Sequence, residues 1–375
     1  MSSIKRALVI GGGIGGLSAA IAMHKQGIQV EIVEINAEWK VYHVGIVVQG
    51  NFIRALASLG LGQQTIDAGF PYKGARMCDM NGNVVAEIQG YPMAGPNFPS
   101  DLGLTRPALH KVLTDAVKSL AIPYRLGVTF TDIVDEGSFA RVKFTDNTSS
   151  NYDLVVGADG VYSKVRAKVF GEARMPKFTG QGVWRYNIPR QEGLEWAVLY
   201  KGKKGGTAGY IPLDPQTMYV FMVNEEPGNP RFPVATQADE LRKRLEGYGG
   251  YMATVRDQIT DPSLVVYRPL EAIIMPAPWY KGRVALLGDA VHSATPHLGQ
   301  GAAMAIEDAV VLGEELGKDG PVAGALERFM TRRFERAKFV GESSIQLGEW
   351  EQRPVPEADT VGLYRKVLTR LAEPI

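Results

Sequence analysis

The sequence predicts an α/β fold, in which a domain built on parallel strands is interrupted by a mostly antiparallel β-sheet and followed by C-terminal helices. Three observations support this prediction. A strand, a glycine-rich turn, a helix and a second strand stand at the N-terminus, a strand-rich stretch fills residues 177–268, and another strand–loop–helix unit begins at Arg283. Alternating strands and helices are typical of parallel sheets, whereas successive short strands separated by turns are typical of antiparallel ones.

The N-terminal unit begins with the apolar run Ala7–Ile10, which is typical of a buried strand. The sequence GGGIGG follows, and three of its glycines have the G-x-G-x-x-G spacing. Such glycines form a tight turn that lets a pyrophosphate rest on the N-terminus of the next helix. Glu34 ends the second strand at the spacing where an acid meets a ribose hydroxyl. The predicted nucleotide contacts are Gly11, Gly13, Ile14, Gly15, Gly16 and Glu34.

A second ligand-binding element is predicted between Gly288 and Ala309. It follows a short apolar strand, so Asp289 stands at the carboxyl end of that strand, where open α/β sheets bind ligands. The glycines of a Gly-Gln-Gly turn let backbone N–H groups approach a ligand, and the helix that follows turns its positive end toward the same loop. This loop suits an anionic ring cofactor. The predicted contacts are Asp289, Gly299, Gln300, Gly301 and Ala302.

Together these units resemble the group A flavoprotein monooxygenases, the para-hydroxybenzoate hydroxylase-like FAD enzymes. The resemblance covers most of the chain, and the motifs stand in the order of that family. It implies a Rossmann-like FAD-binding domain with an inserted β-sheet substrate domain. The adenine end of FAD would lie at the N-terminal unit, and Asp289 would bind the ribityl chain. NADH or NADPH would serve as co-substrate without a nicotinamide domain of its own, since the sequence has no second glycine fingerprint.

The resemblance assigns four further residues to the cofactor. Arg106 matches an arginine that reaches FAD, although the local pattern by itself favours a solvated arginine at a helix start. Val128 matches a position whose backbone contacts the adenine. Asp159, in an Asp-Gly pair, matches a motif that contacts FAD and reduced nicotinamide, and its alternative role is a helix cap. Lys40 stands where the family often has an arginine, whose bidentate contacts a lysine cannot make.

The strand-rich stretch predicts the substrate domain, whose sheet covers the reacting face of the flavin in the family. Aromatic side chains there would line a flat apolar slot, and Trp184, Arg185 and Tyr210 are the pocket candidates, although aromatic residues are also common in strands that form cores. His297 lies in the second ligand-binding element, between Gly288 and Ala309, which we call the flavin loop. It either binds a phenol or carboxylate and helps to take a proton, or bonds to the backbone. The catalytic candidates are therefore His297, Arg185 and Tyr210.

The predicted domains are discontinuous. The FAD-binding domain has three pieces, residues 1–70, 101–176 and 277–320. The substrate domain has two pieces, residues 71–100 and 177–276. Residues 321–375 form a C-terminal helical segment, which begins with an arginine-rich amphipathic helix that closes the domain.

Composition narrows the classes of function. Lys and Arg number 41 against 40 Asp and Glu, so the chain lacks the basic surface of a nucleic-acid-binding protein. It has no apolar run of about 20 residues, and we therefore expect no membrane span. The histidines are scattered, and no metal site is predicted. The single cysteine, Cys78, fits a reducing compartment, and we expect a cytoplasmic protein.

The resemblance implies a FAD-dependent monooxygenase. NAD(P)H would reduce FAD, and O2 would give a flavin C4a-hydroperoxide. This species would hydroxylate a small electron-rich aromatic substrate, of the phenol, hydroxybenzoate or hydroxypyridine type. Two alternatives stay open: another FAD oxidoreductase on this fold, such as an epoxidase, a non-aromatic monooxygenase or a reductase, and a flavin-binding redox sensor without turnover. A monomer and a homodimer are both compatible with the sequence.

Overall fold

The computed structural model describes residues 4–172, 174–202 and 206–375. The first part of the chain forms β1 (Arg6–Ile10), α1 (Ile14–Lys25), β2 (Gln29–Glu34), β3 (Gly45–Gln49), α2 (Gly50–Ser58), α3 (Gly62–Asp67), β4 (Phe70–Tyr72), β5 (Gly74–Cys78) and β6 (Val84–Gln89). The next part forms β7 (Asp101–Thr105), α4 (Arg106–Ser119), β8 (Tyr124–Leu126), β9 (Phe130–Asp135), β10 (Ala140–Phe144), β11 (Ser149–Tyr152), β12 (Leu154–Gly157) and α5 (Lys164–Phe170).

The remaining elements follow the same chain order. They are β13 (Lys177–Pro189), β14 (Ala197–Lys201), β15 (Thr207–Pro212), β16 (Thr217–Glu225), α6 (Gln237–Arg244), α7 (Tyr251–Asp257), β17 (Val266–Ala272), β18 (Tyr280–Lys281), β19 (Val284–Leu286), α8 (Asp289–His292), α9 (Gly301–Gly317), α10 (Val322–Gln352) and α11 (Thr360–Ala372). Short 3-10 turns add residues 234–236, 262–264 and 296–298.

Six strands form the nucleotide-binding sheet, in the order β18-β19-β12-β1-β2-β8. The strands from β19 to β8 pair in parallel, and β18 joins the edge antiparallel. Residues Ala7 to Ile10 of β1 and Leu154 to Val156 of β12 are almost fully buried, because other elements of the same core cover both faces of this sheet. The carboxyl ends of β1, β12 and β19 therefore meet at one edge, where the predicted motifs stand.

Helices α1 and α9 lie side by side and run in the same direction. A Cβ on Gly15 would lie 3.3 Å from the Cβ of Ala305, and a Cβ on Gly313 would lie 2.8 Å from the Cβ of Ala22. Small residues along this contact allow the two helix axes to approach closely. The positive N-terminal ends of both helices consequently point toward the same edge of the sheet.

The inserted sheet has seven strands, in the order β17-β13-β16-β15-β14-β5-β6. Its described pairs are antiparallel except β14 with β5, which confirms the mostly antiparallel sheet that the sequence predicts. One face packs on α6 and α7 and forms a core with Trp184, Tyr210 and Leu241. Strands β5 and β6 come from residues 74–89, within the segment assigned to the substrate domain. The exact domain boundaries stay a prediction.

The three-stranded sheet β3-β7-β4 lies between the two larger sheets. One of its faces carries Val48 and Leu102 into the main core. The other face turns to the seven-stranded sheet, since a Cβ on Gly103 would lie 1.9 Å from the carbonyl oxygen of Pro212. The two sheets therefore touch at this point.

Four side chains near this contact are only partly buried, although they pack against an interior cluster that includes Tyr219. They are Val47, Tyr72, Phe221 and Val266. Their partial exposure places these side chains at an incompletely closed contact between the two sheets. We call the region around these four residues and Tyr219 the substrate slot, after the substrate domain that the sequence predicts.

The C-terminal helices close over the nucleotide-binding sheet. Helix α10 is longer than the amphipathic pattern predicts. Two of its arginines, Arg333 and Arg336, are buried rather than solvated. Arg336 and Arg54 both donate to carbonyl oxygens at the end of α11, including Leu371 at 3.1 and 2.8 Å. No described helix combines the length and apolar character that a membrane crossing requires.

Candidate active site

The glycine-rich turn between β1 and α1 uses its three matching glycines in different ways. Gly11 has φ +112°, and a Cβ there would lie 2.4 Å from the carbonyl oxygen of Ala158. A Cβ on Gly16 would lie 1.9 Å from the carbonyl oxygen of Gly11. Gly13, by contrast, caps α1 and has no heavy atom within 4 Å of its Cβ position. This open cradle above a helix N-terminus fits a pyrophosphate.

Glu34 and Val128 lie together at the carboxyl end of β2. The carboxylate of Glu34 accepts hydrogen bonds from the backbone N–H of Gly12 at 2.7 Å and of Asn36 at 2.9 Å. The backbone N–H of Val128 donates to the carbonyl oxygen of Glu34 at 3.0 Å. The acid thus fixes the phosphate turn and stays half-buried, and the contacts of Glu34 and Val128 with a nucleotide stay predictions.

Asp159 fulfils the helix-cap alternative with its side chain. Its carboxylate accepts from the backbone N–H groups of Lys164 at 2.7 Å and Val165 at 3.1 Å, and from the Ser163 hydroxyl. Burial raises the pKa of Asp159, and these bonds partly offset that effect. A Cβ on Gly11 would lie 3.1 Å from its Cα, so the backbone of Asp159 adjoins the phosphate turn. The carboxylate is thus engaged within the protein, and the contact of Asp159 with the cofactor stays a prediction.

The flavin loop brings a carboxylate opposite a helix N-terminus. Asp289 is exposed as the first residue of α8, and a Cβ on Gly301 would lie 3.9 Å from its Oδ1. Gly301 and Ala302 begin α9, whose first N–H groups have no partner within the helix. Gly299 is left-handed, with φ +64°, and lies beside the side chain of Val47. A sugar-alcohol chain and an anionic ring fit between these groups.

The side chain of Gln300 holds this loop rather than facing it. Its Nε2 donates to Oε1 of Gln49 at 2.7 Å, and its Oε1 accepts from Nδ2 of Asn51 at 2.9 Å. Only 3% of Gln300 is exposed. The sequence predicted Gln300 as a cofactor contact, and the structure leaves only its backbone for that role.

A buried charge cluster anchors the same loop, and the sequence reasoning did not find it. Asp308 accepts from His292 at 2.6 Å, from the N–H of Gly288 at 3.0 Å and from Arg333 at 2.8 Å. Glu307 accepts from Arg333 and Arg336 at 2.7 and 2.8 Å. Burial opposes ionisation of Glu307, but the two guanidinium groups outweigh it and lower its pKa. His292 thus ties the loop to this buried cluster.

Two arginines meet beside the substrate slot. Thr105 caps α4 by accepting from the N–H of Ala108 at 3.1 Å, which places Arg106 at the start of the helix. Burial and then the charge of Arg185 lower the pKa of Arg106, while Tyr219 and Asp289 act in the opposite direction. Arg185 donates from Nε to the Tyr219 hydroxyl at 3.0 Å. Within the described residues no carboxylate pairs with either guanidinium, so this end of the slot attracts anions.

Tyr210 does not face the slot, which corrects the sequence-based choice. It is 4% exposed and lies on the other face of the seven-stranded sheet, with its ring 5.5 Å from that of Tyr251 in α7. Trp184 lies in the same core, whereas its neighbour Arg185 faces the slot. Successive strand residues point to opposite faces, so Trp184 and Arg185 cannot line one pocket together.

His297 bonds to a side chain instead of the backbone. Its Nε2 lies 2.9 Å from Oε2 of Glu351 in α10, and the same carboxylate accepts from Gln181 and Thr207. Its Nδ1 is buried without a partner in the described part of the chain. The residue therefore joins the flavin loop to α10 and the substrate sheet, and its role toward substrate stays a prediction.

Lys40, which stands where the family often has an arginine, is exposed between β2 and β3.

These features define a class of protein. A phosphate cradle at one helix N-terminus and a carboxylate–glycine loop at a second, adjacent one fit the two ends of a single FAD molecule. A sequence profile of the FAD binding domain family matches residues 5–337. The chain belongs to this family, and within it to the group A flavin monooxygenases. The α/β fold class and the FAD-dependent monooxygenase activity predicted from the sequence are thereby confirmed.

Similar proteins match nearly the whole chain. The 2-heptyl-3-hydroxy-4(1H)-quinolone synthase of Pseudomonas aeruginosa PAO1 is 33% identical over 98% of both chains. A FAD-dependent urate hydroxylase of Klebsiella pneumoniae is 29% identical over 89% of this chain and 87% of its own. The crystal structure of Klebsiella pneumoniae HpxO with FAD and uric acid has a TM-score of 0.85 at 25% identity, and the match covers 100% of this chain and 94% of that one.

We expect the Asp289→Ala variant to bind FAD about 10- to 100-fold more weakly than the wild type, since a charge-assisted hydrogen bond contributes about 1.5–3 kcal/mol. Titration of the apoprotein with FAD, followed by flavin fluorescence, measures the change. Asp115→Ala on the exposed side of α4 is the matched control and should bind FAD normally. Unchanged affinity in Asp289→Ala would remove Asp289 from the cofactor site.

Proposed function

We propose that this protein hydroxylates a small, electron-rich aromatic substrate that carries an ionisable hydroxyl or ring N–H, with NADH or NADPH as reductant and O2 as oxidant. Phenols, hydroxybenzoates and hydroxypyridines are the substrate types. The observation that carries the proposal is the pair Arg185–Tyr219, which stands beside Arg106 at the end of an aromatic slot. The quinolone synthase and urate hydroxylase, whose names denote heteroaromatic compounds, support it.

The walls of the slot suit a planar ring. The rings of Tyr219 and Phe221 stack 5.7 Å apart at an interplanar angle of 23°, and Val47 and Tyr72 lie on the opposite side. Such flat apolar surfaces hold an aromatic ring by packing and keep water from it, while a few polar groups fix its orientation. The substrate domain thus presents the ring to the cofactor, in front of Gly299, which adjoins Val47.

When bound, FAD supplies the hydride acceptance and the activation of O2. The residues of the chain bind and orient the cofactor and the substrate. The cradle at Gly13 receives the pyrophosphate, and Asp289 accepts hydrogen bonds from the ribityl hydroxyls. The N–H groups of Gly301 and Ala302, at the positive end of α9, stabilise negative charge on the ring. Arg185, with the Tyr219 hydroxyl, holds a polar substituent of the substrate through a charge-assisted hydrogen bond.

A panel assay tests the proposal. Phenols, hydroxybenzoates, aminobenzoates and hydroxypyridines are incubated with the holoenzyme and either nicotinamide, and nicotinamide oxidation and oxygenated product are measured together. We expect at least one aromatic compound to accelerate oxidation and to yield a hydroxylated product. If no member of the panel does so with either nicotinamide, the aromatic proposal is overturned and an epoxidase, a non-aromatic monooxygenase or a reductase takes its place.

We expect Arg185→Met to lower kcat/KM for the accepted aromatic substrate by about 10- to 100-fold, because a charged hydrogen bond to substrate is lost. FAD affinity should stay at the wild-type value, since Arg185 belongs to the substrate sheet. The measurement is steady-state kinetics together with FAD titration. Arg141→Met, at an exposed position of β10, is the control and should leave both quantities unchanged. Wild-type kcat/KM in Arg185→Met would contradict the assignment.

We also propose a cytoplasmic location and a monomeric or homodimeric state. Cys78 is buried, and burial first of all raises the pKa of its thiol, which disfavours the reactive thiolate. A single unreactive thiol is compatible with a reducing compartment.

Within the described residues no group of acidic, His and Cys side chains forms a metal site.

A further inference from the structure

We propose that Asp101 accepts the proton of the substrate's hydroxyl or ring N–H, at the end of the substrate slot opposite Arg185. The inference rests on the proposed function, since it requires an aromatic substrate in that slot. It gives the protein a proton acceptor in the three-stranded sheet, separate from His297, whose Nε2 is bonded to Glu351.

Asp101 belongs to a row of polar side chains across the three-stranded sheet. It stands at the start of β7, directly opposite Gln49 of β3 on one side and Tyr72 of β4 on the other. Residues directly opposite in neighbouring strands put their side chains on the same face. The row Gln49–Asp101–Tyr72 therefore lies on the face that carries Val47 and Tyr72 into the slot.

Two further groups complete this end of the slot. The amide of Gln49 donates to the hydroxyl of Tyr364 in α11 at 3.2 Å and accepts from Gln300 of the flavin loop at 2.7 Å. The side chain of Gln49 thus lies between Asp101 and the flavin loop. A Cβ on Gly90 would lie 2.0 Å from Oδ2 of Asp101, so the backbone at Gly90 covers the outer side of the carboxylate.

The two polar ends of the slot are separated by a distance that suits a substituted aromatic compound. Gly45 begins β3 against Tyr219, the partner of Arg185, and Gln49 ends the same strand beside Asp101. Four residues of an antiparallel strand span about 14 Å. Side chains extend into the slot from both ends, so the space between them has the length of one or two fused rings with polar substituents.

The surroundings of Asp101 suit proton acceptance near neutral pH. Burial raises its pKa to about 6, and a hydrogen bond with Ser100 partly offsets this effect. The titratable groups that face it from packed elements are Tyr72 of β4 and Tyr364 of α11, and the pKa of each is raised by burial and by the charge of Asp101. No described Lys, Arg or His forms an ion pair with Asp101. A base poised near the working pH is the efficient choice.

The proposed step balances as a simple proton transfer. The substrate O–H or N–H bond breaks, its proton passes to a carboxylate oxygen of Asp101, and the bonding electron pair stays on the substrate. The ring thereby becomes more electron-rich, which its hydroxylation requires. Arg185, at the far end, holds the opposite substituent and keeps the ring in place during the transfer.

The test compares the wild-type holoenzyme with Asp101→Asn, with each phenol that the wild type hydroxylates in the panel. In the wild type, kcat/KM should fall as the pH drops through about 6, because Asp101 must be ionised to accept a proton. In Asp101→Asn, kcat/KM at pH 7 should be about 100-fold lower, and this acidic limb should vanish. For phenols that are already ionised in solution at the assay pH, Asp101→Asn should lower kcat/KM only slightly.

Two controls separate this role from a structural one. FAD affinity should be unchanged in Asp101→Asn, and Asp115→Asn on the exposed side of α4 should behave as the wild type. Protonated Asp101 stabilises the fold below the unfolded-state pKa, and this stability is lost as the pH rises through about 6. Asp101→Asn should therefore resist urea better than the wild type at pH 8, but not at pH 4.

The outcomes distinguish the inference from the function on which it rests. If the wild type hydroxylates a phenol and Asp101→Asn keeps the same rate and the same acidic limb, the role of Asp101 is overturned and the proposed function stands. An equal loss for ionised and un-ionised phenols also overturns proton acceptance. If the wild type hydroxylates no member of the panel, the proposed function fails and the inference falls with it.

Discussion

The Arg333→Met variant is expected to unfold with a free energy about 3–5 kcal/mol below that of the wild type, because it leaves a buried charge unpaired. Arg333 is 0% exposed and binds both Glu307 and Asp308, which are equally buried. Without its guanidinium, two carboxylates share Arg336 and His292. Since Asp308 also holds the N–H of Gly288, the flavin loop should loosen as well, and FAD should dissociate more readily.

Urea unfolding of the apoprotein measures the effect of Arg333→Met. Adding Asp308→Asn should restore part of the loss, because Glu307 and Arg336 then remain as a neutral pair. Arg141→Met removes an exposed ion pair and should cost less than about 1 kcal/mol. If Arg333→Met loses no more stability than Arg141→Met, the cluster does not hold the fold as the structure indicates.

We expect Gly13→Ala to weaken FAD binding by about a thousandfold, or about 4 kcal/mol. The space at its Cβ position is free of protein atoms, and its backbone is extended at φ −78°, so alanine fits the folded chain. The added methyl group would occupy the place of the pyrophosphate and separate it from the N–H groups of α1, each of which makes a charge-assisted bond. Stability of the apoprotein should therefore be unchanged.

Gly16→Ala provides the contrasting control. There a Cβ would lie 1.9 Å from the carbonyl oxygen of Gly11, so the turn itself must distort and the apoprotein should lose stability. Flavin fluorescence gives the FAD affinity of both variants, and urea unfolding gives their stability. Wild-type FAD affinity in Gly13→Ala would show that the cofactor's phosphates lie elsewhere.

The sequence could predict the parallel sheet and both cofactor loops because their signals are local. A strand buried on both faces is an unbroken apolar run, and a turn that excludes Cβ atoms requires glycine at fixed spacing. Gly11, Gly13 and Gly16 each have a separate structural reason within six residues of chain. Thr105, whose side chain caps α4 directly before Arg106, is a local signal of the same kind.

Features that depend on pairing between distant segments could not be predicted in this way. Tyr210 was assigned to the pocket by composition, since nothing in its own strand states which face of the sheet meets the flavin. The partners of Asp101 in its row and at the slot end lie 29, 52 and 263 residues away, at Tyr72, Gln49 and Tyr364. The burial of Arg333 is another such feature, because its acidic partners Glu307 and Asp308 stand on another helix.

The interleaving of the sheets constrains the order in which the cofactor site matures during synthesis. Strand β1 pairs with β12 through Ala7 and Leu154, and β12 pairs with β19 through Val155 and Val284. The phosphate cradle at residue 13 and the flavin loop at residue 301 therefore coexist only when most of the chain has left the ribosome. FAD cannot guide the folding of the nascent N-terminal half. Until then the chain carries an incomplete FAD site, and cellular quality control meets it in that state.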